Sequence, residues 1–142
     1  MPILQAKDQD AVRKEFERLI GPVKFVVFSQ ELVAGELCRQ NEQLMKEVAE
    51  LSDKITVEVL NPAIDRERAE AYGVKDVPVT VIEGARDYGI RFLGIPSGYE
   101  FSNLIDSTIA VSRGEAALTE ETKASLAALP ADVEIKVFST PT

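Results

Sequence analysis

The chain contains no histidine. That removes the commonest general base and the commonest metal ligand. It contains one cysteine, Cys38. One thiol excludes an internal disulfide, a CxxC pair, a zinc knuckle and an iron–sulfur site, and it fits a reducing compartment such as the cytoplasm. No run approaches about 18 unbroken apolar residues, so no membrane span is expected. Met1 to Gln5 lacks the basic start and apolar run of a secretory leader. Positive charge is also scarce: 16 Lys and Arg stand against 24 Asp and Glu, for a net charge of −8. With no basic cluster to override that balance, a nucleic-acid backbone or an anionic membrane is an unsuitable partner. What chemistry remains must use one thiol, carboxylates, amines or the backbone. Nothing in the sequence calls for a metal or an organic cofactor.

What is present is a soluble-protein composition, 45% apolar and 28% charged over 142 residues, enough for one domain with a sizeable core. It also contains an internal repeat. Val23-Lys24-Phe25-Val26-Val27-Phe28-Ser29 recurs in pattern as Val133-Glu134-Ile135-Lys136-Val137-Phe138-Ser139. The preceding helices keep the same spacing: Phe16 and Leu19 match Leu126 and Leu129, and Asp10 matches Glu120. A repeat of this size marks two copies of one supersecondary unit. The expected organisation is a domain over 1–114, with an N-terminal helix at 8–20 and a core over 22–112. Residues 115–142 then read as the helix and first strand of a second, similar domain. Ile135, Val137 and Phe138 would lack a native sheet there. The expectation for 133–139 is pairing with another copy, giving a homodimer, or no partner at all.

Apolar periodicity predicts helices over 8–20, 35–51, 64–72, 99–111 and 119–129. In the second of these, Leu37, Leu44, Val48 and Leu51 are expected on one inward face. Strands are predicted at 23–28, 55–59, 77–82 and 89–93, followed by the repeated strand at 133–139. Thr119-Glu120-Glu121-Thr122 resembles a capping box. From Val23 to Val111 the order is β-α-β-α-β-β-α. That order implies a four-stranded mixed sheet with helices on both faces, plus an extra helix and strand at the C-terminus.

This is the element order of the thioredoxin fold, and particular segments sharpen the likeness. Gly73-Val74-Lys75-Asp76-Val77-Pro78-Val79-Thr80 is similar to the loop that carries the cis-proline of thioredoxins and glutaredoxins. Tyr88 to Phe101, with Gly94-Ile95-Pro96-Ser97-Gly98 at its centre, is similar to the matching stretch of tandem-thioredoxin protein disulfide oxidoreductases. More distantly it resembles the N-terminal domain of the alkyl hydroperoxide reductase flavoprotein subunit. The ending Lys136 to Thr142 looks like the strand that leads into the second CxxC of those proteins. The resemblance implies a parent protein acting on a disulfide-bearing protein substrate, with Val77 and Pro78 beside the reactive site. It also exposes a departure. Where the family opens its helix with CxxC, this chain reads Gly35-Glu36-Leu37-Cys38. Cys38 falls at the resolving position and Gly35 at the nucleophile's.

Dithiol exchange needs one thiolate to attack and a second to resolve the mixed disulfide. Glycine cannot attack, so the chain reads as redox-inactive: a substrate-binding or scaffolding module of a disulfide oxidoreductase. Two other readings stay open. Cys38 could serve as a monothiol that is glutathionylated or joined to a partner, or the chain could be an oligomerisation or adaptor unit. For Cys38 the competing structural role is that of a small packed hydrophobe, a common fate of free cysteine. For Pro78 it is shaping of a strand entry. Gly94 to Phe101 reads as a turn with Tyr99 and Phe101 packed at a helix start. Asp65 to Glu70 reads as a solvated face, and Asp8 and Asp10 suit a helix N-terminus without a metal.

Overall fold

The computed structural model describes residues 1–140. Its elements are α1 (Ala6–Phe16), β1 (Val23–Phe28), α2 (Glu31–Ala49), β2 (Ile55–Leu60), α3 (Arg66–Tyr72), β3 (Val79–Glu83), β4 (Asp87–Leu93), α4 (Tyr99–Arg113) and α5 (Glu120–Ala127). One four-stranded sheet has the order β2-β1-β3-β4. β1 runs parallel to β2 and antiparallel to β3, and β4 returns antiparallel to β3.

β1 sits at the centre because its side chains are apolar on both faces. Phe25 and Val27 pack with Leu44, Met45 and Val48 of α2 and with Leu104 and Ile109 of α4. The same cluster takes in Val12 and Phe16 of α1. Val26 and Phe28 turn the other way, toward Val79, Val81 and Ala69 of α3. Helices therefore cover both faces, as the element order implied.

Seven residues make α3 a short helix, and polar contacts help fasten it. The Tyr72 hydroxyl donates to Glu83 Oε2 at 2.8 Å. The Tyr72 ring meets Phe28 edge-on at 5.9 Å and lies under the guanidinium groups of Arg68 and Arg91. Burial, and next the bond to Glu83, push the Tyr72 hydroxyl above its ordinary pKa. Arg91 grips Asp87 with two nitrogens, at 2.8 and 2.6 Å, which holds that carboxyl below the usual range.

α1 stops at Phe16, four residues short of the expected Ile20. Glu17, Arg18 and Leu19 instead bond back three residues, a tighter winding that swings the chain toward the sheet. Ser112 of α4 receives that turn. Its hydroxyl accepts from the Ile20 N–H at 2.7 Å and donates to the Gly21 carbonyl at 2.8 Å. Its carbonyl accepts the Gly21 N–H at 3.1 Å. A Cβ on Gly21 would lie 2.9 Å from the Ser112 oxygen, so only glycine fits this approach. Ser112→Ala orphans both side-chain partners, and a loss of about 1–2 kcal/mol is expected in urea unfolding.

Tyr99, expected to pack with Phe101 at the start of α4, points into solvent instead, and Phe101 alone packs against the core. Three further expectations need correction. α2 begins at Glu31 rather than Gly35, although Ala34 (φ −144°, ψ 51°) breaks it into one leading turn and a regular helix. Its inward stripe keeps Leu44 and Val48 as expected but not Leu37. Cys38, Asn41, Leu44, Met45 and Val48 are buried, and Leu37 is exposed. Seven residues are nearly two full turns, so Leu37 shares the direction of Leu44; it is exposed because it stands in the first turn of the regular helix, at the end of the sheet. Finally, residues 133–139 form no strand. A strand's backbone groups need a neighbouring strand, and this segment has none in the described chain. α5 does form, with Thr119 Oγ1 accepting the Thr122 N–H at 3.2 Å, but it buries no residue.

Candidate functional site

Strand register gathers the site at one end of the sheet. Phe28, the last residue of β1, pairs with Val79, the first of β3, and Val79 pairs with Leu93, the last of β4. The segments that follow or precede these residues therefore lie together: the Ser29–Gln30 turn into α2, the Val77–Pro78 loop and Gly94. The Val77–Pro78 peptide bond is cis, and the Pro78 carbonyl accepts the Gly94 N–H at 2.8 Å. Val77 itself is half-buried.

The thiol of Cys38 lies inside this arrangement, not on its surface. The residue is 0% exposed. It stands one turn into the regular part of α2, and its sulfur accepts the Gln30 N–H at 3.4 Å. Gly35, one turn earlier and half-exposed, is the residue that opens the regular helix. A Cβ there would touch only the Arg39 side chain, at 3.4 Å. The helix start carries the acids Glu31 and Glu36, which offset the positive end of the helix dipole. Glu36 accepts from Arg39 at 3.0 Å and Gln40 at 2.7 Å. The Arg39 bond, with Gln40 next, holds its carboxyl below the ordinary range.

A buried polar pair, unpredicted from the sequence, ties this helix to the proline strand. Asn41 Nδ2 donates to Thr80 Oγ1 at 3.0 Å, and neither residue is exposed. Asn41 Oδ1 has no hydrogen-bond partner among the described residues. The available signal was position: Asn41 lies three residues beyond Cys38 and three before Leu44, on the inward stripe. Outside the pair, the rim of the site is apolar. Leu32 is 97% exposed, with Val33 and Leu93 also open to solvent. Among the described residues no three His, Cys, Asp or Glu side chains cluster as metal ligands, and no helix is long and apolar enough to cross a membrane.

Solved structures share this arrangement over most of the chain. The NTD_N/C domain of the alkylhydroperoxide reductase AhpF from Enterococcus faecalis superposes with a TM-score of 0.80 at 25% identity, covering 89% of this chain and 61% of that one. A protein disulfide oxidoreductase from Aeropyrum pernix superposes at 0.78 with 24% identity, over 91% of this chain and 56% of that one. The chain has the thioredoxin-like fold. Among curated sequences, this domain is 40% identical over 57 residues to a probable thioredoxin of Methanothermobacter thermautotrophicus, a match spanning 40% of this chain and 62% of that protein. A probable thioredoxin of Methanothermobacter marburgensis is 38% identical over 60 residues, 42% of this chain and 66% of that protein. The matches thus cover less than two thirds of either relative. No protein-family model matches the chain. The thioredoxin-like domain carries its one thiol at the inner position of the helix start, with Gly35 at the outer one.

Proposed function

We propose that this thioredoxin-like domain is a binding and scaffolding module of a disulfide oxidoreductase-type protein, with no dithiol exchange of its own. The observation that carries the reading is the fully buried Cys38 sulfur, paired with a glycine one turn earlier. Exchange requires a thiolate to reach a substrate sulfur in line and a second thiol to release it. Here the outer position offers no sulfur, and the inner one is enclosed and occupied by the Gln30 N–H. The buried thiol also speaks against a monothiol role.

What the site retains is a surface. Val77 and Pro78 stand at the open end of the sheet, where the backbone of Val77 can meet an extended segment of a protein substrate. Leu32, Val33 and Leu93 supply apolar contact around it. On this reading the chain works in the cytoplasm. It holds a disulfide-bearing protein for chemistry carried out elsewhere in a larger protein.

Insulin reduction with dithiothreitol tests the proposal. The expected rate equals that of buffer with dithiothreitol alone and is unchanged by Cys38→Ser. Turnover well above buffer that disappears in Cys38→Ser would overturn it.

A further inference from the structure

We propose that the valley between α1 and α4 receives a basic amphipathic helix of a partner protein, its N-terminus toward Asp8 and its C-terminus toward Arg18 and Arg113. The proposal goes beyond the site at the end of the sheet and does not rest on it.

Two cavities, of 390 and 490 Å³, form one continuous valley, since Ala11, Val12 and Phe101 line both. Its floor is apolar. Val12 of α1 and Ile105 of α4 are buried there, and Ile95 and Phe101 are half-buried. The valley stays open because the residues at its rims are short: Ala11 on α1 and Ser102 on α4, both exposed. Longer side chains at such positions would interdigitate and cover the floor. The end of the valley beside Leu4 is held in place by α2. The Ile3 and Leu4 N–H groups donate to the Glu47 carboxylate at 2.9 Å.

The walls select the charge of the occupant. Asp8, Glu15 and Asp106 line the valley, against the single cation Lys14 among the described residues. Glu15 is engaged with Arg18 at 3.2 Å, and the neighbouring Asp10 with Arg13 at 2.8 Å. Asp8 and Asp106 join no ion pair among the described residues, so their charge is open to a second molecule. Past Asp106 the sign changes. Arg18 and Arg113 line the next cavity, and the Arg113 guanidinium donates to the Arg18 carbonyl at 2.9 Å.

An apolar floor between acidic walls complements a helix whose apolar stripe is flanked by Lys and Arg. The two ends set its direction. A helix N-terminus carries partial positive charge and suits Asp8, and the negative C-terminus suits Arg18 and Arg113. α1, which forms one wall, has 11 residues. That is about 16 Å of helix, so the occupant needs about three turns.

Nuclear magnetic resonance on the isotope-labelled full chain tests this, with a synthetic leucine–lysine helix as the probe, its leucines at i, i+3, i+4 and i+7. The amides expected to shift cluster on Ala11, Val12, Phe101 and Ile105. The same peptide with glutamate in place of lysine should not bind. Ala11→Arg puts bulk and positive charge into the valley at an exposed helical position that tolerates it, and should weaken binding about tenfold. Asp8→Asn with Asp106→Asn should weaken it about threefold and reduce its salt dependence. Glu70→Lys, on α3 across the sheet, should leave it unchanged. A spin label on the peptide's N-terminus should broaden the Asp8 amide more than the Arg113 amide, and the reverse would overturn the orientation. Shifts centred elsewhere on the chain overturn the proposal. So do a leucine–lysine helix that does not bind, a glutamate peptide that binds equally well, and binding indifferent to Ala11→Arg.

Discussion

Gly35→Cys is expected to yield an intramolecular disulfide with Cys38 on air oxidation, and an insulin-reduction rate about tenfold above that of the parent chain, which should match buffer. The backbone is ready for the change. A Cβ at Gly35 meets nothing closer than the flexible Arg39 guanidinium at 3.4 Å. Residues three apart on a helix start are neighbours, within the reach a disulfide needs once both side chains take suitable rotamers. The new thiol would stand half-exposed at the helix start, beside a cation, and both features favour the thiolate. Glu31 and Glu36 act against this, so the gain should grow on Glu36→Gln. For the bond to form, the Cys38 sulfur has only to leave a weak contact with the Gln30 N–H. A thiol titration separates the outcomes. Loss of both thiols on oxidation places Gly35 at the position a nucleophile would hold. Two thiols that persist under oxidation would show that the helix start is built differently, and that glycine there is not a simple substitution.

How much of this was legible in advance depended on whether a property belongs to a segment or to its neighbours. The central place of β1 could be read from Val23 to Phe28, because a strand apolar on both faces has nowhere else to go. The place of Gly35–Cys38 at the helix start followed from the resemblance to the family that opens this helix with CxxC. The burial of Cys38 in place of Leu37 could not be read, because Leu37 is the more hydrophobic residue by type and shares the direction of Leu44. Residues 133–139 carry a strand's pattern without a strand's structure, since hydrogen-bond partners are supplied from outside the segment. The Asn41–Thr80 pair was hidden for a related reason. A lone asparagine in a helix and a threonine in a strand each read as ordinary solvated residues until the two elements are brought together.

That pair supports the largest stability effect expected near the site. Thr80→Val keeps the shape of the side chain and removes the hydroxyl that accepts the Asn41 amide. Asn41 Oδ1 is already without a partner among the described residues. The variant would therefore leave a buried amide wholly unpaired, and a loss of about 2–3 kcal/mol is expected in urea unfolding. Removing both polar groups has a different consequence. Thr80→Val with Asn41→Leu replaces an unsatisfied pair by apolar contacts with Met45 and its neighbours, and its stability should return to within about 1 kcal/mol of the parent. The double-mutant cycle reads the difference as coupling between α2 and β3. Simple additivity of the two changes would mean that the pair does not bind the helix to the proline strand. Strong coupling, with the double variant as stable as the parent, would mean that the polar contact sets the helix's position above β3 without contributing net stability.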